Sequence, residues 1–181
     1  MARFRSAPPV PRPSFPRVPG PGARAAHPAP GAARAPRAFG PFNAAGTLTM
    51  IDAVLPGMRD AGWGRLVLIS SDVVDQPMPA AVAYPAAKGA LETAAKVLAV
   101  REAQHGILTN VVRPGFTLTE RVLNTPGFGQ GVVDAEAAKT PTGRICTPED
   151  VASAVAYLGS AANGHVNGEV LSVAGGRHLT R

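Results

Sequence analysis

From Asn43 onward the hydrophobic pattern of this chain switches back and forth between two periods. Residues 44–60 carry Leu48, Ile51, Leu55 and Met58 at near-helical spacing, which predicts a helix closed by Gly62 and Gly64. Arg65-Leu66-Val67-Leu68-Ile69-Ser70-Ser71 has no alternation; it reads as a short strand buried on both faces. A loop with Pro77 and Pro79 follows. An Ala-rich helix then runs over 83–104 and stops at Gly106, a residue suited to the left-handed position after a helix. Ile107 to Arg113 predicts a second strand, ending at Pro114-Gly115. Residues 116–146, with Pro126, Gly127, Gly129, Gly131, Pro141 and Gly143, predict an irregular segment. Thr147-Pro148-Glu149-Asp150 is a strong helix start. Thr147 can cap, Pro148 fits the first helical position, and two acids favour the positive end of the helix dipole. That helix extends to about Ser160, and a last strand, Glu169 to Val173, ends at Gly175-Gly176.

The order is helix, strand, helix, strand, helix, strand. Apolar strands alternating with helices predict an α/β fold built on a parallel sheet. In open sheets of this kind ligands bind at the carboxyl ends of the strands. Ser71 and the Pro114-Gly115 turn lie at those ends, and Tyr84 lies near the start of the helix after the first strand. The polar residues therefore converge on one edge of the sheet.

Composition divides the chain in two. Residues 1–42 hold seven Arg and no Lys, Asp or Glu, and Ala, Arg, Pro and Gly fill 32 of the 42 positions. Eleven prolines with few aliphatics neither propagate a helix nor bury a core, so a disordered tail is expected. No apolar stretch follows the arginines as in a secretory signal, and the prolines exclude the amphipathic helix of a transit peptide. The formal charge of +6 belongs to this tail, because residues 43–181 carry 11 basic and 12 acidic groups. The basicity is thus no sign of a nucleic-acid-binding domain, and no nucleic-acid partner is expected. No apolar run is long enough to span a membrane. The single cysteine, Cys146, excludes an internal disulfide and a cysteine-cluster metal site, and fits a reducing, cytoplasmic setting. His27, His105, His165 and His178 are scattered without metal-ligand spacing.

The candidate chemistry centres on Tyr84 and Lys88, which share one helix face about one turn apart. An ammonium close to a phenol favours its ionised form and poises it for general acid/base work on a carbonyl or alcohol. Ser71, 13 residues before Tyr84, could donate to a substrate oxygen as negative charge develops on it. Asn43, 28 residues before Ser71, could hold a water that replaces the proton. The ordinary alternatives are a helix cap for Asn43, strand-end capping for Ser70 or Ser71, a packed Tyr84, a solvated Lys88, and loop hydroxyls for Thr117 and Thr119.

Together, Asn43, Leu68-Ile69-Ser70-Ser71, Tyr84-x-x-x-Lys88 and Arg113-Pro114-Gly115 resemble the short-chain dehydrogenase/reductase family. Leu55-Pro56-Gly57-Met58, Thr119, Arg144-x-x-Thr147-Pro148-Glu149-Asp150-Val151-Ala152 and Val170-x-x-Val173-x-Gly175-Gly176 follow in the family's order. The resemblance covers residues 43–181. It implies the carboxyl-terminal half of a Rossmann-like, doubly wound parallel sheet, and an oxidoreductase using NAD or NADP on a small-molecule carbonyl or alcohol. It further implies an Asn43, Ser71, Tyr84, Lys88 tetrad. Tyr84 would exchange the proton, Lys88 would tune it and bond the nicotinamide ribose, Ser71 would polarise the carbonyl, and Asn43 would support the relay water. The turn Pro114, Gly115, Thr117, Thr119 would contact the nicotinamide, and residues 116–146 would form the substrate loop. By the same resemblance the helices over 44–60 and 83–104 would form a homo-oligomer interface.

The family's opening strand, its Thr-Gly-x-x-x-Gly-x-Gly turn and the helix after it have no match in residues 1–42. Those glycines let the cofactor's pyrophosphate reach a helix N-terminus. Gly127-x-Gly129-x-Gly131 does not substitute, since no strand precedes it. A truncated domain is therefore expected, with the strand at 65–71 exposed along one edge. The change of texture at residue 42 suggests a shifted reading frame or a misplaced start. Two further readings stay open: an inactive fragment that serves as an interaction module, and an enzyme whose missing half comes from another chain.

Overall fold

The computed structural model describes residues 42–76 and 82–180. The tail expected over residues 1–42 lies outside them except for Phe42, and so does the loop at Pro77 and Pro79. A π-helical turn, Phe42–Gly46, leads into helix α1, Thr47–Ala61. Strand β1, Gly64–Ile69, is followed by a 3₁₀ turn at Asp72–Val74 and then by helix α2, Ala83–Glu102. Strand β2 is Ile107–Pro114. Two helices come next, α3 at Glu120–Asn124 and α4 at Gln130–Lys139. Helix α5, Pro148–Leu158, and strand β3, Val170–Val173, complete the order. The segment 116–146, expected to be irregular, thus holds two short helices. Gly127 and Gly129, both with positive φ, lie between them, and Gly131 sits in the first turn of α4. Val132 and Val133 of α4 both donate their N–H to the Gly129 carbonyl, so the glycines start a helix instead of preventing one.

The three strands are parallel in the order β1-β2-β3, with Gly64 paired to Ile107 and Val111 to Val170 at the starts of the two ladders. Ile51 and Leu55 of α1 and Leu91, Ala95 and Leu98 of α2 bury against Leu66, Leu68, Ile107 and Val111 of the sheet. Burying a side chain of this kind stabilises the fold by about 1.5–3 kcal/mol. Val67 alternates to the other face, where a Cβ at Gly159, just after α5, would lie 3.8 Å from it. Helices therefore cover both faces of an α/β sheet, as the strand pattern predicts. Gly106 makes the α2–β2 turn possible. Its φ is +71°, and a Cβ there would meet the Gly62 carbonyl oxygen at 2.3 Å. Thr147 and Asp150 cap α5 reciprocally, with Pro148 in the first turn, as read from the sequence.

Among the described residues β1 is an edge strand. The Ser70 N–H donates to the Val112 carbonyl, so by alternation Arg65, Val67 and Ile69 turn their peptide groups outward. Ile69 is 39% exposed. None of the described helices is long and apolar enough to cross a membrane.

Candidate functional site

The carboxyl ends of β1 and β2 are fixed by a buried polar cluster. Glu92 of α2 accepts the Ser70 hydroxyl at 2.6 Å and takes the Arg113 guanidinium through Nε at 2.9 Å and a terminal nitrogen at 2.6 Å. Arg113 also pairs with Asp75 on the turn after β1. Burial pushes the Glu92 carboxyl up, but Arg113 and the Ser70 hydroxyl outweigh it and hold the group below the usual carboxylate range. One acid thus ties α2, the end of β1 and the end of β2 together. Ser70, at 2% exposure, is committed to this cluster. Ser71, next in the chain, is half-buried and opens onto a cavity.

That cavity holds about 630 Å³. Ser71, Asp72, Gly115 and Thr117 form the side nearest the strand ends, and Glu136 of α4 and Arg177 after β3 also line it. Phe116 and Phe128, stacked at 6.1 Å between ring centres, supply apolar wall. Gly115 is required by packing, since a Cβ there would lie 2.8 Å from the Ala174 Cβ. The Thr117 hydroxyl donates to the Gly115 carbonyl at 2.8 Å and steadies the turn after Pro114. Thr119 is placed differently. It caps α3, its hydroxyl accepting from the Val122 N–H at 3.3 Å, and it is not part of the cavity lining.

Asn43 and Lys88 meet in a second space, a groove of about 370 Å³ along the outer edge of β1. Asn43 sits in the π-helical turn before α1, where its carbonyl accepts the Thr47 hydroxyl. Lys88 is buried, and its ammonium donates to the outward Ile69 carbonyl at 2.8 Å. The same ammonium stands 5.7 Å from the centre of the Tyr84 ring. Burial pushes the Lys88 ammonium below the usual lysine range. The four sequence-predicted residues therefore fall on two sides of the β1 terminus. Asn43 and Lys88 lie along the open edge, Ser71 lies with Gly115 and Thr117 toward the cavity, and the Tyr84 ring stands beside the Lys88 ammonium without lining either space.

Reading the sequence for chemistry missed Glu92, the role of Arg113 (named only within the strand-end motif), Asp72, Glu136 and Arg177. Signals existed for the first two: an acid one turn after Lys88 on an otherwise Ala- and Leu-rich helix face, and an arginine inside an apolar strand. Cys146 is buried, which pushes its thiol up and away from reactivity. Among the described residues no group of histidine, cysteine or carboxylate side chains has the geometry of a metal site.

For a dinucleotide, the fit is one-sided. Gly115 and Thr117 border the cavity at the strand ends, and the Lys88 ammonium lies in the separate groove along β1. Among the described residues no strand passes through closely spaced glycines into a helix N-terminus, the cradle a pyrophosphate requires.

Residues 38–178 match a family model described as enoyl-(acyl carrier protein) reductase. The acetoacetyl-CoA reductase of Cupriavidus necator is 36% identical over 126 residues, which span 70% of this chain and 50% of that protein. The short-chain reductase protein NovJ of Streptomyces niveus is 34% identical over 139 residues, 75% of this chain and 53% of its own. Among solved structures, a gluconate 5-dehydrogenase from Burkholderia cenocepacia, in complex with NADP and tartrate, aligns with a TM-score of 0.69 at 29% identity. That alignment covers 77% of this chain and 54% of the dehydrogenase. The chain spans about half the length of the relatives it matches.

Proposed function

This chain belongs to the short-chain dehydrogenase/reductase family, and on that premise we propose that it carries the proton-transfer half of an NAD(P)-dependent carbonyl reductase or alcohol dehydrogenase. The observation that supports this most is the separation of the two serines. Ser70 is consumed by Glu92, whereas Ser71 faces the cavity beside Gly115 and Thr117. In this reading the substrate oxygen sits against the Ser71 hydroxyl, where a donor gains strength as negative charge develops. Tyr84 gives or takes the proton at that oxygen. Lys88, donating to the Ile69 carbonyl with its ammonium 5.7 Å from the ring centre, sets a positive charge beside Tyr84. Asn43 holds the relay water from the groove side. Pro114, Gly115 and Thr117, with Tyr84 and Lys88, would border the nicotinamide and its ribose; Thr119 would act through the α3 cap. The cofactor, when bound, supplies the hydride. The pyrophosphate and adenine would be held by a part that the described residues do not contain, on this chain or on another.

A thermal-shift titration with NADH and NADPH measures whether the chain binds cofactor as it stands. Tyr84→Phe is expected to lower carbonyl reduction by at least about a hundredfold with little change in stability. Unchanged turnover in that variant would remove Tyr84 from the mechanism.

The second reading, an interaction module that dimerises through α1 and α2, draws on exposed apolar side chains there. Met50 is 72% exposed, Val100 is 84% exposed, and Val54 and Val97 also face outward. Sedimentation velocity of wild type and Val100→Glu tests it. A wild-type monomer would end this reading.

A further inference from the structure

The cavity beside Ser71 is balanced in charge but keeps an uncovered apolar wall. Glu136 is shared by Arg177 at 3.4 Å and Lys139 at 2.6 Å. The Arg177 charge acts on Asp72 as well, and the Ser71 hydroxyl donates to an Asp72 oxygen at 3.4 Å. Two carboxylates thus answer two cations, and the site asks for no charge on its occupant. The apolar side is different. Phe128 lines the cavity yet is 49% exposed, and Phe116, Val122 and Val132 line it too. The Phe128 backbone is held in a turn. Its N–H donates to the Thr125 carbonyl at 3.0 Å, and Gly127 and Gly129, both with positive φ, flank it. Phe116 is anchored from the sheet side, its carbonyl accepting the Cys146 N–H at 3.0 Å. The two rings lie within 9° of parallel.

Resting on the oxidoreductase reading of this cavity, we infer that Phe128 sets the substrate class: uncharged carbonyl compounds, or their alcohols, that carry an aromatic ring on one substituent. The ring packs on the open side of Phe128, and the carbonyl stays at the strand ends beside Gly115. Size is the first argument. A cavity of about 630 Å³ belongs with pockets that enclose a drug-sized molecule. A ketone of three or four carbons would leave most of that space as water against phenylalanine and valine, which favours a larger apolar occupant. Shape is the second. A flat ring meets Phe128 in an offset or edge-to-face contact, which adds to the gain from buried area, whereas a saturated ring gains from area alone. Charge is the third. A charged substituent finds a partner here only by breaking the pairs at Glu136, and a neutral ring leaves them intact.

Three methyl ketones with the same reacting end test this on the intact chain: benzylacetone, its counterpart with a cyclohexyl ring, and butanone. Affinities are read by saturation-transfer NMR titration. Wild type is expected to bind benzylacetone at least roughly tenfold more tightly than butanone, from buried area, and about threefold or more above the cyclohexyl ketone, from the aromatic contact. Phe128→Leu keeps an apolar wall without the ring. It should erase the difference between the two ring ketones and keep most of their advantage over butanone. Butanone or the cyclohexyl ketone bound as tightly as benzylacetone by wild type, an aromatic preference that survives in Phe128→Leu, or no binding of any probe would each overturn the inference. The wild-type comparison decides even if the variant fails to fold. Tyr84→Phe should retain the preference. Selective binding with no turnover under any cofactor condition would therefore count against the oxidoreductase reading and leave the Phe128 assignment standing.

Discussion

Helix α2 carries two buried acids ten residues apart, Glu92 and Glu102, and each is paired with arginine. Midway along the helix Glu92 reaches Ser70 and Arg113, at the carboxyl ends of β1 and β2. At the carboxyl-terminal end Glu102 accepts Arg59 of α1 through two bonds of 2.7 Å and its own neighbour Arg101 at 2.5 Å. The interaction is of the same kind, yet its consequences differ. Glu102 clamps helix to helix at the end of the sheet where strands begin. Glu92 clamps helix to strand where strands finish, and so fixes Ser71 and Gly115. An ion pair thus becomes part of a site through its place along the strands, not through its strength.

Glu92→Ala is the largest test of that contrast. It leaves the Arg113 side chain, only 11% exposed, with Asp75 alone, and it leaves the Ser70 hydroxyl without its acceptor. Breaking a buried pair in this way costs about 3–5 kcal/mol. Urea denaturation should show that loss, and the folded fraction should also lose affinity for carbonyl probes. A destabilised variant that still binds the probes normally would place Glu92 in the same category as Glu102.

Glu102→Ala is expected to cost less, about 1.5–3 kcal/mol, because Arg59 and Arg101 are 39% and 52% exposed and return to water. Probe affinity should not change. The same residue gives an acid signature. The Arg59 hydrogen bonds, aided by Arg101, hold the Glu102 carboxyl at about 2, below its ordinary 4.5. A carboxyl with a depressed folded-state value stabilises the protein above the unfolded value, and that stability is lost as the pH falls toward the folded one. Wild type should therefore lose stability between about pH 4.5 and 2, and Glu102→Ala should lose less over that interval. Parallel acid titrations of the two proteins, followed by denaturant midpoint, check the sign.

The contrast also marks what the sequence could reveal. Strands, helices and the α5 cap were legible because periodicity and capping are local; Thr147, Pro148 and Asp150 are enough to start a helix anywhere. The position of Ser71 at a strand end followed from the apolar run before it. The division between Ser70 and Ser71 was suggested by spacing alone, because the partner that consumes Ser70 lies 22 residues away on another element. The two helices in 116–146 were hidden by their glycines, whose role at Gly129 is to start α4. Arg177 and Glu136 could not be placed in the cavity at all. They are 41 residues apart in the chain and meet only when β3 closes beside the α4 segment.

The smallest change in stability should come from the two adjacent serines, where the contrast is sharpest. Ser70→Ala removes one donor from Glu92 and keeps both Arg113 bonds, so it should cost about 1 kcal/mol. Its backbone bond to Val112, at 2.8 Å, is untouched, so the strand end stays in register and reduction should proceed near the wild-type rate. Ser71→Ala should do the reverse. Its hydroxyl makes only a long 3.4 Å contact to Asp72, so stability should stay within about 0.5 kcal/mol of wild type. Carbonyl reduction should fall by about a hundredfold, the usual loss on removing a donor to a developing oxyanion. Paired denaturation and rate measurements on the two variants separate the outcomes. If Ser70→Ala slows reduction as much as Ser71→Ala does, the catalytic donor is not decided by which serine opens onto the cavity, and the strand-end cluster belongs to the chemistry itself.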